Sequence, residues 1–279
     1  MKQLFQIVTF LLILLVGEKA FSQNVKAELV IHDGTQSVQD THLVGVRFLM
    51  DPNWHIYWHF PGDSGLPTRI NWKLPPGATS GPLLWPVPEK FIQKGSPPTF
   101  GYDQEVVLLS EIMIPPSLRE GDLVVEVKWL ACDLKLCVPG KTSLNLPIEE
   151  LRSAKNSKRS DLTFWIDQVP TPLINAPFTQ EISLKKENSS ITIKADLSWK
   201  EKVGNIEWYP VLGDKLIVSS ENISEKEGKT ELRMTLNLIG NLSSNLNSAT
   251  DFPTQLNSVI VFTTVSGKRR GVDFPILLK

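Results

Sequence analysis

Apolar and polar positions alternate along most of this chain with the period of a β-strand. Val25, Ala27, Leu29 and Ile31 fall on one face of an extended segment, because successive side chains of a strand point to opposite faces. Residues 42–50, 54–58, 105–114 and 123–130 are further strand candidates. Turn-forming stretches such as Leu74-Pro75-Pro76-Gly77 and Gly95-Ser96-Pro97-Pro98 punctuate them. Residues 149–176 change character. Positions 149–158 are charged and tolerate helix, and Ser160-Asp161 is placed to cap a short helix carrying Leu162, Phe164, Trp165 and Ile166. Pro170, Pro172 and Pro177 then break it. Strand patterns return at 181–184, 190–197, 215–218, 231–238, 258–265 and 272–278. The pattern predicts an all-β protein of two β-sandwiches, at 23–148 and 177–279, joined by a short, partly helical linker at 149–176.

The first 22 residues do not belong to that pattern. Lys2 is a short basic region, residues 4–16 are nearly all apolar, and Ala20-Phe21-Ser22 has the small-x-small form read by signal peptidase. Cleavage before Gln23 is expected. The apolar run is short against the roughly 20 residues of a membrane span; an uncleaved anchor is the alternative. The absence of a cysteine after the run excludes a lipoprotein anchor. The mature chain is expected to be exported, where disulfides persist.

Composition narrows the function classes. Twenty-nine Lys+Arg against thirty Asp+Glu give a net charge of -1, which argues against a nucleic-acid partner, since phosphate neutralisation needs a basic face. Hydrophobic residues make up 41% of the chain, enough for packed cores. The 2 cysteines are too few for a disulfide-stapled scaffold or a four-cysteine zinc site.

Those cysteines are the main chemical signal. A strand runs into Cys132, four residues intervene, and an extended segment containing Pro139 leaves Cys137. The hairpin lets the sulfurs meet. The enclosed loop is so short that closing it stabilises by only about 2 kcal/mol on the chain-entropy account. Lys135 favours a thiolate and Asp133 opposes it. Two readings stand at this point: a structural staple, or a bridge suited to exchange.

The histidines offer less. His55 and His59 are four apart, a metal spacing only on a helix. Here the segment reads as a strand with Trp54, Ile56 and Trp58 toward the core and His55, Tyr57 and His59 on the other face. No metal site is expected. Gly62-Asp63-Ser64-Gly65 matches part of a serine-protease nucleophile segment, but Leu66-Pro67 follows and no suitable histidine precedes it; a Gly-rich turn is the better reading. Asn188, Asn222 and Asn241 lie in Asn-x-Ser triplets, which imply no sugar by themselves.

Several of these features come in a specific order. Trp54-His55-Ile56-Tyr57-Trp58, the segment from Pro61 to Thr68, Trp72-Lys73-Leu74-Pro75, Trp85-Pro86-Val87-Pro88, Phe100-Gly101-Tyr102 and the hairpin ending Cys137-Val138-Pro139 follow one another over the first predicted sandwich. Together they resemble the N-terminal periplasmic domain of the DsbD/ScsB thiol:disulfide interchange family. Trp208-Tyr209-Pro210 and the late strands resemble, more weakly, the cysteine-free β-domain that follows in ScsB-type members. The resemblance implies immunoglobulin-like sandwiches, a periplasmic setting and a redox pair formed by Cys132 and Cys137. It places Phe100 and Tyr102 in a loop whose aromatic residue caps the disulfide. It implies thioredoxin-like periplasmic oxidoreductases as partners. Family members usually continue into membrane and thioredoxin domains, whereas this sequence ends at Lys279, so a separate membrane electron donor is expected. No organic cofactor or metal is required. The alternative class is a non-enzymatic exported interaction module with a structural disulfide.

Overall fold

Ten strands build the first sandwich: β1 (Val25–His32), β2 (Thr41–Met50), β3 (His55–Gly62), β4 (Arg69–Lys73), β5 (Thr79–Leu84), β6 (Glu89–Phe91), β7 (Thr99–Asp103), β8 (Glu105–Met113), β9 (Asp122–Cys132) and β10 (Cys137–Pro147). The linker adds helix α1 (Ile148–Arg152), strand β11 (Arg159–Ser160) and helix α2 (Thr163–Ile166). The second sandwich holds β12 (Phe178–Glu187), β13 (Ser190–Trp199), β14 (Val203–Val211), β15 (Leu216–Lys226), β16 (Lys229–Leu238), β17 (Gln255–Thr264), β18 (Arg269–Asp273) and β19 (Ile276–Leu277). This computed structural model describes residues 24–34, 40–93, 95, 97–153, 157–187, 189–213, 215–239 and 252–278. The expected signal segment, Asn188 and Asn241 lie outside the described residues.

The first sandwich packs the sheet β11-β1-β2-β8-β5 on the sheet β10-β9-β3-β7-β6, with β4 paired to β9. Alternation explains the core. Val44, Val46 and Phe48 of β2, Ile56 and Trp58 of β3, Val106 and Leu108 of β8, and Val125, Val127 and Trp129 of β9 form one buried cluster. Phe48 meets Trp129 edge-on at 5.8 Å, the geometry aromatic quadrupoles favour.

Seven strands of the fold, β4 to β7, β10, β11 and β14, have no counterpart in the periodicity reading, although the hairpin reading already had an extended segment leave Cys137. Strand β7 shows why. Gly101 looks like a loop residue, yet a Cβ there would lie 2.0 Å from the Ile56 carbonyl oxygen. The glycine lets β7 close against β3, with Tyr57 opposite Gly101 in the ladder.

The linker packs on the first sandwich. Strand β11 runs parallel to β1, pairing Ile31 with Arg159 and His32 with Ser160. Asp161 Oδ1 accepts the Thr163 amide at 2.9 Å, which supports the start of α2. Leu162 is buried with Val30, Val107 and Leu109 on the outer face of the first sheet.

The second sandwich pairs the sheet β12-β13-β16-β15 with the sheet β14-β17-β18, and β19 extends β17. Its core holds Trp208, Ile260, Phe262, Leu232 and Met234. Tyr209, Val259 and Val261 point the other way and join the buried cluster of the first sandwich. The two sandwiches therefore share an apolar contact. Among the described residues no helix is long and apolar enough to cross a membrane.

Candidate redox-active site

The site forms where the β9–β10 hairpin turns. These strands pair over their whole length, from Asp122 opposite Pro147 to Cys132 opposite Cys137. The two cysteine Cα atoms are 4.1 Å apart, the close spacing of a non-hydrogen-bonded cross-strand pair, and their sulfurs are joined in a disulfide. Asp133 shapes the turn. Its amide donates to the Leu136 carbonyl at 3.0 Å, and its Oδ1 accepts from the Lys135 and Leu136 amides at 2.7 and 2.8 Å. The amides of Leu136 and Lys135 hold the Asp133 carboxyl below the usual carboxylate range.

The two cysteines differ in access. Leu123, Val125, Val127, Trp129 and Ala131 of β9 face the core, so Cys132 belongs to the opposite row. It is nevertheless only 2% exposed, whereas Cys137 is exposed. A second layer outside the sheet accounts for the difference. His55 stands directly opposite Cys132 in the β3–β9 ladder, and the Tyr57 hydroxyl donates to Cys132 Sγ at 3.1 Å. Tyr57 is itself held. The Thr68 hydroxyl donates to its carbonyl at 2.8 Å. Gly65, at φ +94°, lies so close to the phenol ring that a Cβ would come within 2.4 Å of it. The protease-like Gly62-Asp63-Ser64-Gly65 segment is therefore a turn folded over Tyr57. Phe91 stacks on the His55 ring, with centroids 4.6 Å apart and planes at 25°.

Burial sets the protonation of this layer. It lowers the His55 pKa, while Asp103 and Asp133 pull the other way, so the imidazole is neutral at pH 7. Burial also raises the Tyr57 pKa, so the phenol keeps its proton and remains a donor. Among the described residues no cluster of three or more His, Cys, Asp or Glu side chains could hold a metal ion. At the rim, Leu134 is 80% and Leu136 51% exposed, leaving two large apolar side chains in solvent between the cysteines.

Of the residues singled out in the sequence, Cys132 and Cys137 are brought together. Phe100 and Tyr102 are not part of a loop over them. Both lie on β7 with rings in the core, 5% and 4% exposed. Phe100 packs on Tyr209 at 5.1 Å, and the Tyr102 hydroxyl donates to the Pro86 carbonyl at 2.6 Å. Their inward direction follows from pairing with β3, where Tyr102 opposes Ile56, a core residue. Residues that sequence reasoning missed are Tyr57, His55 and Phe91. The alternation over 54–59 already set His55 and Tyr57 on the face that Cys132 shares, but no local signal linked that face to the hairpin.

The family model described as "Thiol:disulfide interchange protein DsbD, N-terminal" matches residues 26–148. These residues are a DsbD N-terminal domain. The DsbD domain thus corresponds to the first sandwich and contains the Cys132–Cys137 disulfide. Among solved structures, the N-terminal periplasmic domain of ScsB from Proteus mirabilis is similar, at 20% identity and TM-score 0.64, over 91% of this chain and 94% of that chain. That likeness shows the fold and extends beyond the DsbD domain into the second sandwich. A protein of unknown function from Porphyromonas gingivalis W83 has 9% identity and TM-score 0.20, over 91% of this chain and 99% of that one. Bovine butyrophilin has 13% identity and TM-score 0.19, over 90% and 99%. Neither of these two supports an argument about this DsbD domain. No curated protein matches the chain.

Proposed function

We propose that the chain is an exported thiol:disulfide interchange protein that passes electrons through Cys132 and Cys137. Its dithiol serves thioredoxin-like periplasmic partners, and a membrane reductase restores it. Export is supported by the N-terminal pattern of Lys2, the apolar run and Ala20-Phe21-Ser22. The observation that carries the redox reading is the asymmetry of the pair: an exposed Cys137 bonded to a buried Cys132 whose sulfur receives a hydroxyl hydrogen bond.

In the reducing direction the Cys137 thiolate attacks one sulfur of the partner's disulfide. The partner's other sulfur leaves with the electron pair and takes up a proton. Cys132, as thiolate, then attacks Cys137 Sγ, and the mixed disulfide breaks. The partner departs as a dithiol, two electrons richer, and the Cys132–Cys137 bond is restored. A membrane donor's dithiol reduces it by the reverse sequence. Tyr57 donates to Cys132 throughout, and a hydrogen bond to a thiolate is stronger than one to a neutral thiol. Leu134 and Leu136 flank the exposed sulfur and offer an apolar rim to the partner surface around its own cysteine.

A merely structural bond has little to do here. The strands already pair along eleven positions, and closing so short a loop stabilises by about 2 kcal/mol. The test is covalent trapping. Cys132→Ala removes the resolving sulfur and should accumulate a dithiothreitol-sensitive adduct through Cys137. Cys137→Ala leaves only the buried sulfur and should trap at least about tenfold less. The double variant should trap nothing. If both single variants lose stability and neither captures a partner, the disulfide is structural and the interaction-module reading replaces this one.

A further inference from the structure

The task of the cysteine-free sandwich can be read from strand β6. It has 3 residues, lies at a sheet edge and pairs only with β7, which gives so short an element little stability of its own. Its side chains are fixed from outside the sheet. Glu89 Oε1 accepts from Arg269 Nη1 at 2.8 Å. The other nitrogen of that fork, Nη2, donates to the Pro88 carbonyl at 2.7 Å, to Glu207 Oε2 at 2.8 Å and to the Tyr209 hydroxyl at 3.0 Å. Lys90 Nζ donates to the two carboxylate oxygens of Glu221 at 3.3 and 3.2 Å and lies 5.5 Å from the Tyr209 ring centroid. Just upstream, Val87 packs on Gly271 so closely that a Cβ there would come within 2.5 Å of it. The third side chain, Phe91, shares Glu89's face of the strand. It stacks on His55, the residue opposite Cys132.

We propose that the cysteine-free sandwich is a clamp on β6, holding Phe91 over the His55 flank of the redox pair so that the Cys132 sulfur stays shut off from solvent. The inference rests on the redox reading above for its purpose. Arg269 and Glu89 are positioning residues, since neither touches a sulfur. The physical reason is local: a short edge strand opens easily unless its side chains are anchored elsewhere. Charge-assisted bonds from a bidentate guanidinium supply that anchor. The family domain of 26–148 contains the cover, and the second sandwich contains what keeps it closed.

The experiment reads the two thiols separately. Trypsin cuts after Lys128 and Lys135, which places Cys132 and Cys137 in different peptides. The full chain, reduced and treated with iodoacetamide, should alkylate quickly at Cys137 and slowly at Cys132. Arg269→Met should raise the Cys132 rate by about tenfold, as local opening becomes easier, and leave the Cys137 rate unchanged. Phe91→Ala should give the same rise, and combining the two should add nothing further, because both remove one cover. Arg269→Lys should restore most of the protection. Arg270→Met is the control. Arg270 lies on the same strand and donates to the Asp167 carbonyl and carboxylate at 2.7 and 2.8 Å, but it has no bond to β6, so both rates should stay as they are.

Continued protection of Cys132 in a folded Arg269→Met chain overturns the clamp. So does an equal rise in Arg270→Met, which would mean that any loosening between the sandwiches opens the site. If Arg269→Met does not fold, Glu89→Gln with Lys90→Met takes its place, with the same rise expected and an unchanged rate overturning the proposal. The reagent is a small alkylator, so the clamp is judged without any partner. Failure of covalent trapping would remove the redox reading, whereas a protected Cys132 removes only the clamp.

Discussion

Strand β3 of the first sandwich and strand β17 of the second are both buried on both faces. His55, Ile56, Tyr57 and Trp58 are all buried on β3, and the run from Ser258 to Phe262 is buried on β17. On each, one row enters its own core: Ile56 and Trp58 in the first case, Ile260 and Phe262 in the second. The other row is covered differently. Over β17 it is Val259 and Val261 against the neighbouring sandwich, an apolar contact that only packs. Over β3 it is an imidazole, a phenol and a sulfur under a turn, an edge strand and a hairpin tip. The same packing state yields adhesion in one place and a protected reactive group in the other. The covering chemistry decides, together with the exposure of Cys137 beside a buried Cys132.

The contrast can be broken or sharpened by substitution, and the largest effect belongs to the apolar side. Tyr209 is fully buried and packs on Phe100 and Trp58. Tyr209→Ala should cost about 3–5 kcal/mol of stability, the range for aromatic truncations. Urea denaturation measures it, and a loss under about 1 kcal/mol would show that the second face is not a packed one.

On the polar side the expected signature is reversed. Tyr57→Phe keeps the ring against Gly65 and removes only the donor to Cys132. Stability should change by no more than about 1.5 kcal/mol, while resolution of the mixed disulfide should slow by roughly tenfold. A longer-lived partner adduct in an otherwise native chain would report it, and an unaltered lifetime would show that the phenol is packing alone.

The smallest effect is a pH dependence. Burial holds the His55 pKa below its ordinary value, so the unfolded chain binds a proton more readily than the folded one. The folded form therefore loses stability as pH falls through about 6.5, and the penalty is absent at pH 8. His55→Gln should flatten stability between pH 7 and pH 5 relative to the parent, as followed by urea titration at each pH. A residual slope remains from His59, whose pKa burial lowers to about 4, and from His42, whose pKa is lowered by burial and by Arg152 and Arg159. Identical slopes in parent and variant would show that His55 titrates as if exposed.

Much of this fold was legible. The strand patterns at 25–31, 42–50, 105–114 and 123–130 coincide closely with β1, β2, β8 and β9: β9 buries one row, and alternation is what a one-sided strand writes into a sequence, whereas β8, buried on both faces, is legible as a short continuous apolar run. The cysteine pair was legible too, since a hairpin is local. Phe100 and Tyr102 were misplaced because Pro97, Pro98 and Gly101 look like loop chemistry. Gly101 is in fact required by the approach of the Ile56 carbonyl, a contact made across forty-five positions of chain. Periodicity set Tyr57 and His55 on the correct face, but it reports only direction. Whether that face meets water or another layer depends on distant elements, here residues 65, 91 and 132.

Strand β11 and Leu162 carry a consequence for where one unit ends and the next begins. The sequence family stops at residue 148. The chain, however, goes on to shield the outer edge of β1 with Arg159 and Ser160 and to fill the hollow beside Val30, Val107 and Leu109 with Leu162. An open sheet edge is a template for pairing with other chains, and a bare apolar face invites the same. Inherited border and mechanical border therefore fall in different places: the stretch that sequence marks as a tether is the hem of the first sandwich.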